Sequence, residues 1–160
     1  MNRRGLFHRR SWAAVVSLVA SHAAFAGGDQ RASGVALLPK YKQECAACHV
    51  AFPPGMLPAD SWRRLLDNLP HHYGTDASLD AATVNELATW LSANASTYRR
   101  VREVPPEDRI TQSAWFIRKH DEVPAAVWKR PAVKSAANCA ACHTQADQGD
   151  FNEHAVHIPR

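Results

Sequence analysis

A clear periodic pattern of apolar side chains occupies the segment ADSWRRLLDNLP, residues 59–70. The apolar positions recur at i, i+3, i+4 and i+7, which is the spacing of one face of a helix. They are Trp62, Leu65, Leu66 and Leu69. Pro70 ends this predicted helix, because proline cannot donate the next backbone hydrogen bond. Upstream, residues 35–49 predict another helix, with Pro39 near its first turn, where a missing N–H is tolerated.

A third helix is predicted from about Asp80 to Asn94. Asp80 is a suitable N-cap, because its carboxylate can accept from the free N–H groups of the first turn. One face of this helix is apolar, and its residues are Val84, Leu87, Ala88 and Leu91. The next stretch, YRRVREVPPEDR, is charged and contains a double proline, which is typical of a linker. We therefore expect a boundary near residue 100.

The remaining chain predicts only short elements. A helical pattern runs from about Ala114 to His120, Trp128 lies in a turn between Pro124 and Pro131, and a short helix is expected to enter the segment ANCAACHTQ. No run alternates over enough residues to predict a strand. The fold class is therefore mainly α, with two small units at residues 27–100 and 101–160. The second unit has few aliphatic side chains, so its core alone would be marginal.

The N-terminus has the organisation of a signal peptide over residues 1–26. A basic segment is followed by a mostly apolar stretch from Trp12 to Phe25, and Ala24-Phe25-Ala26 is a small-x-small cleavage site. The apolar stretch is shorter than the ~20 residues that a membrane span needs. We expect cleavage, export to the periplasm and no retained membrane span.

The signal also accounts for the positive charge of the chain. Of the 19 Lys and Arg, four lie in residues 1–26, and none of the 15 Asp and Glu do. Residues 27–160 therefore have a formal charge of zero. A basic footprint for nucleic acid is absent from this part of the chain, and we expect no nucleic-acid partner.

Each unit contains the sequence Cys-Ala-Ala-Cys-His. The residues are Cys45, Cys48 and His49 in the first unit, and Cys139, Cys142 and His143 in the second. Two disulfides would close very short loops and stabilise little. A four-cysteine zinc site gives no reason for a histidine after each pair, and thiol redox chemistry expects a βαβ context that the pattern does not predict.

Covalent haem explains every residue of both motifs. Two sulfurs on one helical turn can reach the two vinyl groups of a porphyrin, and the next histidine then binds the iron. Burying a porphyrin removes roughly several hundred Å² of apolar surface from water, worth on the order of 10 kcal/mol at ~25 cal/mol/Å². We therefore predict two haem c groups, and we expect that the second unit does not fold without its haem.

The second ligand of each iron decides the chemistry, because an open position allows oxygen or peroxide reactions and a strong protein ligand restricts the iron to electron transfer. The candidates are Met56, His71, His72, His120, His154 and His157. Met56 follows His49 too closely to reach the opposite face of the ring. His72 is preferred to His71, because Gly74 allows the chain to turn beyond it. For the second haem, the sequence favours His120 only slightly over His154 and His157.

The chain resembles a family of small exported dihaem cytochromes c. The resemblance rests on CAACHVAFPPGMLPADSWRRLLDNLPHHYGTDASLD, RITQSAWFIRKHDEVP, PAVKSAANCAACHTQADQGDF and the terminal IPR. It implies a first unit similar to a class I cytochrome c and a smaller, irregular second haem domain with short helices. It also implies two histidines on each iron, which selects His72 and His120. Tyr73 stands where the family pattern would have Phe.

The resemblance implies partners as well. These are an oxygen-binding monohaem cytochrome c and a membrane cytochrome b. The resulting hypothesis is single-electron transfer between redox proteins through two low-spin, low-potential haems, with no enzymatic reaction. The alternatives are a dihaem peroxidase or reductase, in which one iron lacks its second histidine, and a haem-based sensor.

Overall fold

The computed structural model describes residues 34–160, so the predicted signal peptide lies outside the described residues. Five α-helices are present in this part of the chain, joined by turns of 3₁₀-helix and irregular segments. The helices are α1 (Pro39–Cys45), α2 (Ala59–Asp67), α3 (Ala81–Asn94), α4 (Ala114–Lys119) and α5 (Ala125–Trp128). Residues 34–160 contain no strand and only two isolated β-bridges. The mainly α prediction is confirmed.

Helices α2 and α3 pack against each other and form the centre of the first half. In α3, Leu87 and Leu91 are almost completely buried, and Asp80 caps the helix by accepting from the N–H groups of Ala82 and Thr83. The predicted face and cap of this helix are both confirmed. In α2, the indole N–H of Trp62 donates to the Pro54 carbonyl at 2.8 Å, which fixes the proline-rich loop to the helix.

The first helix is shorter than the predicted 35–49. It begins at Pro39, whose fixed φ and missing N–H suit the first turn of a helix, and it ends at Cys45. Tyr41 in α1 is buried against α2 and α3, with its ring 6.3 Å from that of Trp62 and 5.2 Å from that of Trp90. The hydrophobic core of the first half contains Tyr41, Ala51, Leu57, Trp62, Leu66, Leu69, Leu87 and Leu91.

The second half is built from shorter elements around fewer buried apolar side chains. These are Phe116, Val127, Val133 and Ala146. The helix predicted before the second motif is absent: residues 131–138 form turns, and only the 3₁₀ turn Cys139–Ala141 is helical. Pro131 removes a donor from this segment and Lys134 has φ +68°, a left-handed conformation that a continuous helix cannot contain.

The segment predicted as a linker packs against the first half. The guanidinium of Arg64 on α2 donates to both carboxylate oxygens of Asp108, at 2.9 and 2.6 Å, and Ile110 packs on the first core. Ser113 then caps α4 by accepting from the Phe116 N–H. The boundary near residue 100 stays a prediction. Of the helices in residues 34–160, none has the length and apolar character that crossing a membrane requires.

Candidate haem sites

Both cysteine motifs lie in tight turns that bring the thiols and the histidine together. Cys45 ends α1, and Cys48 and His49 follow in the turn beyond it. In the second motif, the N–H groups of Cys142 and His143 both donate to the Cys139 carbonyl, at 3.2 and 2.8 Å. Each motif therefore presents two thiols and one imidazole from a single turn of chain.

The four thiols are free and do not form a zinc site. Within residues 34–160, no group of three or more His, Cys, Asp and Glu side chains is arranged to hold a metal ion. Burial raises the pKa of Cys45 and of Cys139 to about 11 each. Burial therefore favours the protonated form of these two thiols, which is the less nucleophilic form.

In the first half, the structure brings the imidazoles of His49 and His72 close together. Their ring centroids are 6.2 Å apart, with 27° between the planes. His49 stacks on Phe52 at 4.9 Å, and its Nδ1–H donates to the Val50 carbonyl at 2.7 Å. This hydrogen bond assigns the proton to Nδ1 and leaves the other ring nitrogen free to bind a metal.

In the second half, the imidazoles of His143 and His120 lie close together. The centroids are 6.1 Å apart and the planes are inclined by 73°. His120 follows α4, stacks on Phe116 at 4.0 Å, and donates from Nδ1–H to the Phe116 carbonyl at 2.9 Å. His143 has the Phe151 ring at 5.5 Å on another side.

The spacing within each pair fits one metal ion bound between two imidazoles on opposite sides. A metal–nitrogen bond is about 2 Å and the nitrogen lies roughly 1 Å from its ring centre, so opposed imidazoles have centres about 6 Å apart. Two corners of a tetrahedral site would bring the centres to about 5 Å. The observed 6.2 and 6.1 Å agree with the distance expected for the opposed arrangement, which would leave room for a flat porphyrin between the rings.

The surroundings of one imidazole in each pair favour its neutral form, which is the form that binds metal. Burial lowers the pKa of His72, and His49 and Arg109 lower it further. Burial also lowers the pKa of His143, with a smaller contribution from His120. The Nδ1 atoms of His72 and His143 are buried and have no hydrogen-bond partner among the described residues. Each pair thus combines one imidazole anchored by a backbone carbonyl with one that lacks such an anchor.

A tight turn sets the position of His72. The Thr75 N–H donates to the His72 carbonyl at 3.0 Å, and the two residues between them, Tyr73 and Gly74, have φ +52° and +93°. Positive φ at both central positions defines a type I′ turn. Gly74 therefore has the conformation that the sequence predicted for a turn after His72.

The other candidate ligands lie elsewhere. Met56 is buried in the 3₁₀ turn Pro54–Met56, and His71, His154 and His157 are exposed. Sequence reasoning missed the role of the C-terminal tail: the His157 N–H donates to the Cys142 carbonyl at 2.9 Å, and Val156 forms a β-bridge with His143. The tail thus supports the second motif through its backbone, and backbone contacts of this kind leave no signal in side-chain pattern.

Residues 41–151 match the model of the dihaem cytochrome c family. This span includes both motifs and both histidine pairs. The chain belongs to the dihaem cytochrome c family. Similar solved structures support this membership. A dihaem cytochrome c from Shewanella baltica is 38% identical, with a TM-score of 0.66, over 76% of this chain and 92% of that chain.

Two structures from Rhodobacter sphaeroides are similar to the same extent. They are 40% and 42% identical, each with a TM-score of 0.64 over 73% of this chain, and they are covered over 100% and 99% of their own length. No match was found among curated proteins. Family membership makes this chain an electron-transfer protein with two haem c groups, and not an enzyme.

Proposed function

We propose that this chain transfers single electrons between redox proteins of the periplasm, through two low-spin haems that are each bound by two histidines. The first haem is attached to Cys45 and Cys48 and is bound by His49 and His72. The second is attached to Cys139 and Cys142 and is bound by His143 and His120. The two haem units are residues 27–100 and 101–160, and residues 1–26 are a signal peptide that is removed on export.

The spacing of the histidine pairs is the observation that carries this proposal. Two imidazoles bound to one iron would fill both of its axial positions, and so would exclude water, oxygen and peroxide from it. The haem supplies a one-electron redox couple, while the protein fixes its ligands and its dielectric surroundings. Imidazole is a stronger donor to ferric iron than thioether sulfur, so we expect both reduction potentials below those of His/Met cytochromes.

The partners are proposed from the family resemblance. They are an oxygen-binding monohaem cytochrome c as electron acceptor and a membrane cytochrome b as a second redox partner. A low potential suits a reductant of such an acceptor. Mixing the reduced protein with oxidised monohaem cytochrome in a stopped-flow spectrometer tests this step, and absence of electron transfer at micromolar concentrations would contradict it.

Replacing single ligands tests the axial assignment. We expect His72→Ala to convert one haem to the high-spin form and leave the other low-spin, and His120→Ala to do the same at the other haem. Optical and electron paramagnetic resonance spectra measure the spin states. The matched controls are His71→Ala and His157→Ala, which should leave both haems low-spin. If a control variant produces the high-spin haem, the corresponding ligand is wrongly assigned.

Carbon monoxide separates the carrier from the alternatives. A reduced protein with both axial positions filled should bind carbon monoxide slowly and incompletely. Rapid stoichiometric binding by the unmodified protein would instead favour a peroxidase, a reductase or a haem-based sensor, each of which needs an open iron.

A further inference from the structure

The turn that contains His72 is held by the segment that leads into the second half. The Tyr73 hydroxyl donates to the Glu107 carbonyl at 2.8 Å. The guanidinium of Arg109 lies 4.0 Å from the centre of the Tyr73 ring, and its Nε–H donates to the Glu107 carboxylate at 2.8 Å. These three residues connect two segments that are more than thirty positions apart in the chain.

Backbone strain is concentrated at the same contact. Four residues other than glycine have positive φ in residues 34–160, and three of them are Tyr73, Glu107 and Asp108, at +52°, +54° and +56°. A left-handed conformation is unfavourable for such residues and persists only where surrounding contacts enforce it. On the far side of the contact, the double hydrogen bond from Arg64 holds Asp108 against α2. The two strained turns are therefore fixed by each other.

Of the four proposed ligands, His72 and His120 do not follow a cysteine motif. His72 needs the support of this contact more than His120 does. A ligating histidine is usually oriented by a hydrogen bond from its second ring nitrogen to a carbonyl or carboxylate. His120 has such a bond to Phe116. The Nδ1 of His72 is buried without a partner among the described residues. The direction of the His72 imidazole therefore depends on the turn that contains it.

We propose that Tyr73, Glu107 and Arg109 form a latch that positions His72 on the first haem, so that the segment between the two halves controls how readily this histidine leaves the iron. We refer to these three residues as the latch. The inference rests on the proposed ligation of the first haem by His72. It assigns Tyr73 and Arg109 as positioning residues, since neither is a ligand.

The rate of carbon monoxide binding to the reduced holoprotein measures how firmly the latch holds His72, because carbon monoxide must first replace the distal histidine. The His72→Ala variant, whose first haem is open, identifies the spectral phase of that haem. In Tyr73→Phe, which removes only the hydroxyl, we expect this phase to be about fivefold faster, as follows from losing one typical hydrogen bond. The phase of the second haem should not change.

Tyr41→Phe is the matched control. It deletes another tyrosine hydroxyl that donates to a backbone carbonyl, in this case that of Phe52 at 2.8 Å. Phe52 stacks on His49, which is held by its cysteine motif and not by the latch. We expect no acceleration of carbon monoxide binding in this variant. Equal rates in Tyr73→Phe and the unmodified protein, or equal acceleration in both variants, would overturn the latch.

A double-variant cycle tests whether the contacts act as one unit. Arg109→Gln should also accelerate carbon monoxide binding to the first haem. The acceleration in the Tyr73→Phe/Arg109→Gln variant should be smaller than the product of the two single accelerations, because both changes act on one latch. A rate equal to that product would overturn a single latch. The outcome for the axial assignment is separate: if His72→Ala leaves the first haem low-spin, the ligation itself is wrong, whatever the latch variants do.

Discussion

The second half should depend on its haem for folding to a much greater extent than the first. Its large buried apolar side chains are Phe116, Val127 and Val133, whereas eight residues form the core of the first half. At about 1.5–3 kcal/mol for each buried side chain, these three contribute roughly 5–9 kcal/mol. A buried porphyrin contributes on the order of 10 kcal/mol by the same area argument. Loss of the haem therefore removes more than half of the apolar stabilisation of this half.

The perturbation is the triple variant Cys139→Ala/Cys142→Ala/His143→Ala, expressed with haem attachment and purified with one haem as counted by the pyridine haemochrome assay. Domains are stable by only ~5–15 kcal/mol in total, so a loss of this size unfolds the second half. We expect amide hydrogens of α4 and α5 to exchange rapidly, while those of α2 and α3 stay protected, in hydrogen–deuterium exchange followed by mass spectrometry.

The equivalent change in the first motif is the control. Cys45→Ala/Cys48→Ala/His49→Ala should loosen the turns around residues 46–52 and leave α2 and α3 partly protected, because their mutual core remains. Protected amides throughout α4 and α5 in the variant that lacks the second haem would refute the argument that the cofactor replaces a missing core.

Two further predictions concern the first half. Leu87→Ala removes a fully buried side chain from α3 and should lower the free energy of unfolding of the holoprotein by about 2–5 kcal/mol, measured by guanidinium denaturation, whereas Glu86→Ala on the exposed face should change it by less than ~0.5 kcal/mol. The hydrogen bond from Arg64 holds the pKa of Asp108 below its usual range, so this pair stabilises the fold above about pH 4 and loses its effect as the pH falls through the lowered pKa. Arg64→Gln should therefore cost up to ~1 kcal/mol at pH 7, a value limited by solvent screening of the half-exposed guanidinium, and progressively less as the pH falls through the lowered pKa of Asp108; a difference that does not shrink on acidification would contradict an ionic origin.

The parts of the fold that sequence predicted are those specified by local pattern. The faces of α2 and α3 follow from apolar spacing, and the start of α3 follows from Asp80, because helix periodicity and capping need only neighbouring residues. Helix α1 ends at Cys45, earlier than the predicted end at residue 49. The residues of the motif that follow Cys45 give no sequence signal for the turn that interrupts the helix.

The candidate site shows the same division. The cysteines and the histidines next to them follow from the motif alone, and Gly74 indicated the turn after His72. The contact between Tyr73 and the segment at residues 107–109 could not be predicted, because it joins distant positions and requires positive φ at residues that rarely adopt it. The packing of Ile110 on the first core gives no sequence signal either, because Ile110 directly follows a charged, proline-containing segment that is typical of a linker.

The two histidine pairs distribute their anchors in opposite ways, and for this reason we propose a latch at only one of them. In the first pair, the imidazole that bonds to a carbonyl is His49, which is already held by its cysteine motif. The other member of the pair, His72, has no hydrogen bond from its Nδ1 among the described residues. In the second pair, the imidazole that bonds to a carbonyl is His120, which follows no cysteine motif. Its hydrogen bond to the preceding helix orients the ring instead. In the proposed ligation, the distal side of the second haem is thus held by the contact between His120 and the helix that precedes it. In the proposed ligation, the distal side of the first haem depends instead on a contact with the segment that leads to the second half, so we expect a change in how the two halves associate to act on the first iron through His72 and to leave the ligands of the second in place.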